Sequence, residues 1–188
     1  MVYKDYKKFL AEVLISEEQL KKRIVELGRQ ITQDYAGQDL LLVCVLRGGV
    51  MFLTDLMRSL DLPHMIDFMA LSSYGVGARH SSGKVRITMD LTMDIYDRNV
   101  LVVEDIVDSG HTMASLLEVL STREPKSLKI CVLLDKASRR EVDITLDYVG
   151  FNIEDKFVFG YGLDLDEYYR DLPFVGVVDL ESFTPSEE

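Results

Sequence analysis

The chain is short of positive charge. Its 188 residues carry 32 Asp and Glu against 21 Lys and Arg, a formal net charge of −11. A surface of that sign repels polyanions, which argues against nucleic acid or an anionic membrane as a partner. Cysteine is scarce as well. Cys44 and Cys131 both lie inside apolar runs, the pattern of buried free thiols and not of a disulfide framework or a metal cluster. No apolar stretch approaches the roughly 20 residues of a membrane span. The first residues mix charges and have no signal-peptide apolar core, so a cytoplasmic location is expected. Repeats, linker-like stretches and a second domain are also missing, and residues 1–188 are expected to form one domain.

What is present centres on residues 100–112. Val100, Leu101, Val102 and Val103 form an apolar run, as in a strand buried on both faces of a parallel sheet. The run is expected to stop on the adjacent carboxylates Glu104 and Asp105. Ile106, Val107 and a third carboxylate, Asp108, follow, and then Ser109, Gly110, His111 and Thr112. A helical pattern through Met113, Leu116, Leu117 and Leu120 begins at once. Strand, acidic corner, small-residue loop and helix make a place for a phosphate. The free N–H groups and the positive end of the helix point at it, Gly110 lets the backbone come close, and Ser109 and Thr112 add hydroxyls.

The same arrangement appears earlier. Residues 40–46 are continuously apolar and lead through Arg47, Gly48 and Gly49 into a helical pattern ending near Leu60. Before it, Ser16 and Gln19 have capping-box spacing, and Leu20, Ile24, Leu27 and Ile31 predict an amphipathic helix over 16–35. Further strands are expected at 64–73, 84–89, 127–134, 145–149 and 174–178. Residues 74–83, rich in glycine and serine, read as a mobile loop. After 127–134 comes a basic cluster, Lys136, Arg139 and Arg140. Such clusters are usually solvated, but Lys136 follows the apolar run directly and belongs at the carboxyl edge of the sheet, where ligands of open α/β sheets bind.

Residues 100–112 resemble the phosphoribosyl pyrophosphate (PRPP) motif of the type I phosphoribosyltransferases, an apolar strand followed by Glu-Asp-x-x-Asp-Ser/Thr-Gly-x-Thr. Three more segments match the hypoxanthine (6-oxopurine) group of that family in the same order. They are the loop at Arg47 and Gly48, the start of a closing loop at Ser73-Tyr74-Gly75, and residues 155–171 with Lys136 before them. The resemblance implies an α/β fold of the type I phosphoribosyltransferase kind. Its central twisted sheet is mostly parallel and flanked by helices, with a flexible active-site loop and a small hood built from the N-terminal residues and 151–188. It implies transfer of 5-phosphoribose from PRPP to a 6-oxopurine.

The residue roles it implies are these. Glu104 and Asp105 take the ribose hydroxyls, directly or through a metal. Asp108 is the general base, relaying a proton at purine N7. Residues 108–112 hold the 5′-phosphate; His111 stands where several relatives have Lys or Asn, so its side chain is not the essential part. Arg47, Gly48, Ser73, Tyr74 and Arg170 meet pyrophosphate, although the purine-salvage members often carry Lys where this chain has Arg47. The first peptide of that loop can have unusual geometry in the family. Lys136 donates to purine O6, Phe157 stacks on the ring with Ile106 and Leu163 as apolar contacts, and the Val158 backbone reads the purine edge. Asp164, with Glu104 and Asp105, is a magnesium ligand.

An anionic ligand beside three carboxylates needs a counter-charge, so Mg²⁺ is the expected cofactor. PRPP and a 6-oxopurine are the expected partners, and relatives form homo-oligomers. Two other readings stand beside this one. Guanine or xanthine could be the preferred base. A regulatory PRPP-binding protein is the other, but it needs a basic surface or an added helix-turn-helix that this chain lacks.

Overall fold

The computed structural model describes residues 5–73 and 85–183. A short 3₁₀ turn, Tyr6–Lys8, leads into β1 (Leu10–Ile15) and α1 (Glu17–Asp34). Then follow β2 (Leu40–Leu46), α2 (Val50–Arg58), β3 (Met65–Ser73), β4 (Val85–Met89), β5 (Asn99–Val107) and α3 (His111–Ser121). The chain continues through β6 (Ser127–Asp135), a 3₁₀ turn at Ala137–Arg139, β7 (Tyr148–Asn152), β8 (Val158–Phe159) and β9 (Val175–Val178).

Six strands make the large sheet in the order β4-β3-β2-β5-β6-β7. β3, β2, β5, β6 and β7 pair in parallel, and β4 is antiparallel on the edge. The continuous apolar runs follow from this arrangement. Leu42, Cys44, Leu101, Val103, Cys131 and Leu133 pack on the face that carries Leu20, Ile24, Phe52 and Leu56 of α1 and α2. Leu41, Val43, Val100, Val102, Ile130 and Val132 pack on the other face, against Met113, Leu116 and Leu120 of α3. With both faces covered, neither set of alternate residues is free to be polar. Burying each of these side chains fully is worth about 1.5–3 kcal/mol. Both cysteines are free and buried. Burial pushes the Cys44 thiol up to about 12, which removes it from thiolate chemistry near neutral pH.

The capping box is present: Ser16 Oγ accepts from the Gln19 amide at 3.3 Å, and the Ser16 amide donates to Gln19 Oε1 at 2.8 Å. Three expectations need correction. β5 does not stop at its carboxylates; its pairing with β6 continues to Val107 opposite Asp135, so Glu104 and Asp105 belong to the strand. The strand expected at 145–149 is Tyr148–Asn152. Asp147 shifts it, because its carboxylate accepts the Ile130 amide at 2.9 Å and ladder pairing starts only at Tyr148. And the N-terminal segment supplies a strand: β1, β9 and β8 form a second, antiparallel sheet. Phe9, Phe159, Leu165, Tyr169 and Leu172 pack beneath it. The hood expected from the two ends of the chain is this small sheet with its aromatic layer. The loop expected at 74–83, with Tyr74, lies outside the described residues.

Candidate active site

The two strand–glycine–helix corners lie side by side, because β2 and β5 are neighbours in parallel register. At the end of β5 a pocket of about 210 Å³ is lined by residues between Glu104 and Met113. Gly110 is the N-cap of α3 at φ +91°, a left-handed conformation that a side chain resists. No side chain caps the helix. Its first-turn N–H groups are therefore available to an anion at the pocket. Ser109 and Thr112 share the pocket wall, whereas the His111 ring turns to Glu141, Nε2 to Oε2 at 2.9 Å.

Glu104 and Asp105 line the same pocket. Burial, and then the Asp105 carboxylate beside it, pushes Glu104 well above the usual carboxylate range. Asp105 Oδ1 accepts the Ile106 amide at 2.8 Å, and neither carboxylate has an ion-pair partner among the described residues. Two adjacent carboxyl groups, one of them raised by burial and by the other's charge, are a site that a divalent cation would relieve. The donor set therefore fits magnesium. No group of three or more His, Cys, Asp or Glu comes together for a metal among the described residues. Such an ion would take its other ligands from substrate oxygens and water, as magnesium commonly does. Asp164, the third expected ligand, faces Arg170 at 2.9 Å.

The second corner touches the first. A Cβ on Gly48 would lie 1.6 Å from Asp105 Oδ2, so only glycine lets this loop lie against the acid pair. From the other side, Gly162 closes on Gly48, and a Cβ there would lie 2.1 Å from the Gly48 carbonyl oxygen. The Leu46–Arg47 peptide is cis. Arg47 is exposed and holds Glu167 through both guanidinium nitrogens, at 3.0 and 3.2 Å. Arg170 donates to the Gly162 carbonyl at 2.9 Å and to Glu167 at 3.1 Å. The two expected pyrophosphate cations thus meet on one carboxylate, which sequence reasoning missed. Ser73 ends β3.

Of the residues expected to meet the purine, Lys136 follows the end of β6. The Lys136 amide donates to the Val107 carbonyl at 3.0 Å, which sets this residue beside the β5 corner. Lys136 is buried, with its side chain 9% exposed, and its Nζ lies 3.4 Å from Asp155 Oδ1. Phe157 is 51% exposed, so its ring is open to a stacking partner. Val158 and Leu163 are buried and Ile106 packs partly against the same core. Val158 belongs to β8.

The rest of the basic cluster is not simply solvated. Arg139 Nε donates to Asp108 Oδ1 at 2.9 Å, and its Nη1 donates to Asp155 Oδ2 at 3.1 Å. Arg140 donates to the Asp108 carbonyl at 2.9 Å and pairs with Asp135. Asp155, Glu167, Arg139 and Arg140 are the site residues that the sequence reading did not single out. Only the basic run after β6 gave a local signal for any of them.

Comparison with known proteins agrees with this geometry. A phosphoribosyl transferase domain model matches residues 14–166. The chain is 53% identical over 175 residues to a hypoxanthine phosphoribosyltransferase of Salmonella typhimurium, covering 92% of this chain and 98% of that one. It is 52% identical over 176 residues to a hypoxanthine-guanine phosphoribosyltransferase of Mycobacterium avium, covering 90% and 86%. A crystal structure of a hypoxanthine phosphoribosyltransferase from Staphylococcus aureus superposes with a TM-score of 0.92 at 43% identity, covering 98% of this chain and 100% of that one. A sheet that sets the acid corner of β5 beside the glycine loop of β2, in sequence kinship this close, leaves one conclusion: the chain belongs to the phosphoribosyltransferase family.

Proposed function

We propose that this phosphoribosyltransferase transfers 5-phosphoribose from PRPP to N9 of hypoxanthine, giving IMP and pyrophosphate, a reaction of purine salvage. The observation that carries the choice of base is Lys136. Its buried ammonium lies 3.4 Å from Asp155, and its amide donates to the carbonyl of Val107, the residue before Asp108. A lysine has only donors, so it matches a purine 6-oxo group and mismatches a 6-amino group. Guanine shares that oxo group, and one relative carries guanine in its name, which supports guanine as a second acceptor.

In this reading the first-turn amides of α3, with Ser109 and Thr112, hold the 5′-phosphate in the 210 Å³ pocket. Glu104 and Asp105 accept from the ribose hydroxyls. Arg47 and Arg170 turn from Glu167 to the pyrophosphate, exchanging one anion for another. The bond from C1′ to the pyrophosphate oxygen breaks, and its electron pair leaves with pyrophosphate. N9 supplies the pair for the new bond to C1′. Asp108 accepts the proton from N7, which leaves a neutral purine ring. Phe157 covers the ring face and Lys136 fixes O6. Glu104 and Asp105 would hold magnesium, which would supply charge neutralisation for the diphosphate. Most of the acceleration then comes from positioning and electrostatics, with no covalent intermediate.

The test is steady-state turnover with PRPP and magnesium against hypoxanthine, guanine, xanthine and adenine. Turnover with hypoxanthine and none with adenine is expected. Adenine as the preferred base would sink the role given to Lys136. Asp108→Asn is expected to keep PRPP binding and lose about 10²–10⁴-fold in turnover. Unchanged turnover would remove Asp108 from its role.

A further inference from the structure

A 6-oxopurine presents N7 and O6 on one edge. An enzyme that takes a proton at N7 and donates to O6 must hold its two groups at a fixed spacing. Asp108 and Lys136 lie on different segments, one past the end of β5 and the other past the end of β6. Between them runs a chain of contacts. Lys136 Nζ lies 3.4 Å from Asp155 Oδ1, Asp155 Oδ2 accepts from Arg139 Nη1 at 3.1 Å, and Arg139 Nε donates to Asp108 Oδ1 at 2.9 Å. Each inner member uses two different atoms, so the chain is continuous through both side chains.

We propose that Arg139 and Asp155 are positioning residues that form a strut between the proposed general base and the base-selecting lysine. The proposal rests on the roles given above to Asp108 and Lys136. Three features support it. First, Arg139 takes only one oxygen of Asp108. Oδ2 has no hydrogen-bond partner among the described residues and is left for the purine. Second, the strut is anchored at the backbone. Arg139 sits on the 3₁₀ turn that follows Lys136, with its amide on the Lys136 carbonyl at 2.9 Å. Ile153 donates to the Asp135 carbonyl at 2.9 Å and brings the Asp155 segment to the same strand end. Arg140 fixes the Asp108 backbone from the other side. Third, the side chains of Arg139, Asp108 and Asp155 are 48, 44 and 50% exposed. Ion pairs so exposed add little to stability. A chain of them between two site residues is therefore better explained by what it aligns.

The experiment measures kcat and both KM values for Arg139→Gln, Arg139→Lys, Asp155→Asn and the double variant Arg139→Gln with Asp155→Asn, along with melting temperature. Arg139→Gln is expected to lose about 10- to 100-fold in kcat/KM for hypoxanthine, the size of a small misalignment of reacting groups. KM for PRPP should change less than kcat/KM for hypoxanthine, because Arg139 and Asp155 do not themselves line the phosphate pocket, and the melting temperature should stay within about 2 °C, because the pairs are exposed. Arg139→Lys should recover part of the loss, since one donor remains. The double variant should be little worse than Arg139→Gln alone, as for residues that act as a unit. An Arg139→Gln enzyme within about twofold of the parent on hypoxanthine overturns the strut, and so does a double variant equal to the product of the singles. A fall in melting temperature with both KM values raised together overturns it too, by making Arg139 structural. Asp108→Asn separates the two levels. If it is inactive while Arg139→Gln is silent, only the strut fails; if it is fully active, the role of Asp108 fails first.

Discussion

The two glycine corners look alike in sequence and differ in how they are completed. The β5–α3 corner is self-contained, with a pocket lined within ten consecutive positions, Glu104 to Met113. The β2–α2 corner is finished from elsewhere. Gly48 lies against Asp105 of β5 and under Gly162 of the hood, and Arg47 pairs with a glutamate 120 residues away. Their charges are opposite as well. The first collects carboxylates and offers amides, whereas the second offers an arginine already neutralised by Glu167. A phosphate that must stay attached suits a closed cradle made by one stretch of backbone. A pyrophosphate that must leave suits a site whose cations have another anion to return to.

Breaking the junction between the corners should have the largest effect. Gly48→Ala places a methyl group on the Asp105 carboxylate, so that carboxylate or the loop must move. We expect a loss of at least about 10²-fold in kcat/KM for PRPP, measured at saturating hypoxanthine. A variant as active as the parent would show that the contact between the corners is dispensable. Gly110→Ala attacks the self-contained corner alone. Forcing alanine to φ +91° costs about 1–2 kcal/mol. A KM for PRPP raised about tenfold, with KM for hypoxanthine little changed, is the expected result.

The carboxylates of the first corner give a prediction in pH. Glu104 has its folded-state value raised, so ionising it works against the folded protein. Its contribution to stability is present below the ordinary glutamate value of about 4.3 and is lost as pH rises through the higher folded value. Glu104→Gln removes that loss. Without substrates or magnesium it should melt about 2–4 °C higher than the parent at neutral pH, with the difference shrinking toward pH 4. Its KM for PRPP should rise. Equal melting curves at neutral pH would show that Glu104 ionises there at no cost to the fold.

The smallest effect is expected at the second corner. Glu167→Gln releases Arg47 from an exposed pair worth about 0–1 kcal/mol and leaves Arg170 with Asp164 as its carboxylate partner. KM for PRPP should fall about two- to fivefold, and product inhibition by pyrophosphate should tighten by a similar factor. A rise in KM would mean that Glu167 aligns the arginines and does not compete for them.

The same contrast explains what could be read from the sequence. The first corner was legible because its residues are contiguous and each type has a local reason to be there. The parallel core was legible because burial on both faces leaves unbroken apolar runs such as 40–46 and 100–103. Glu167, Asp155 and Arg139 were not, because Arg47 lies 120 residues from Glu167, and Arg139 lies 31 residues from Asp108 and 16 from Asp155. Nothing local distinguishes a glutamate that receives two arginines from one that faces water. The displaced start of β7 has a similar cause. Residues 145–147 have strand-like composition, but the Asp147 side chain takes the Ile130 amide that a ladder partner would have used. β1 was missed as a strand since only β9, from the far end of the chain, gives it a partner.

That pairing bears on how the molecule is made. Leu10 meets Val178 and Ile15 meets Val175 across almost the full length of the chain. Contacts so distant in sequence close late. During synthesis β2, β5 and α3 are complete while β9 is still unmade, so the segments that line the pocket are made before the small sheet can close. β8, which carries Val158 next to Phe157, can join its sheet only when β9 arrives. The stretch that carries Phe157 and Val158 is thus fixed only by the last strand to be made.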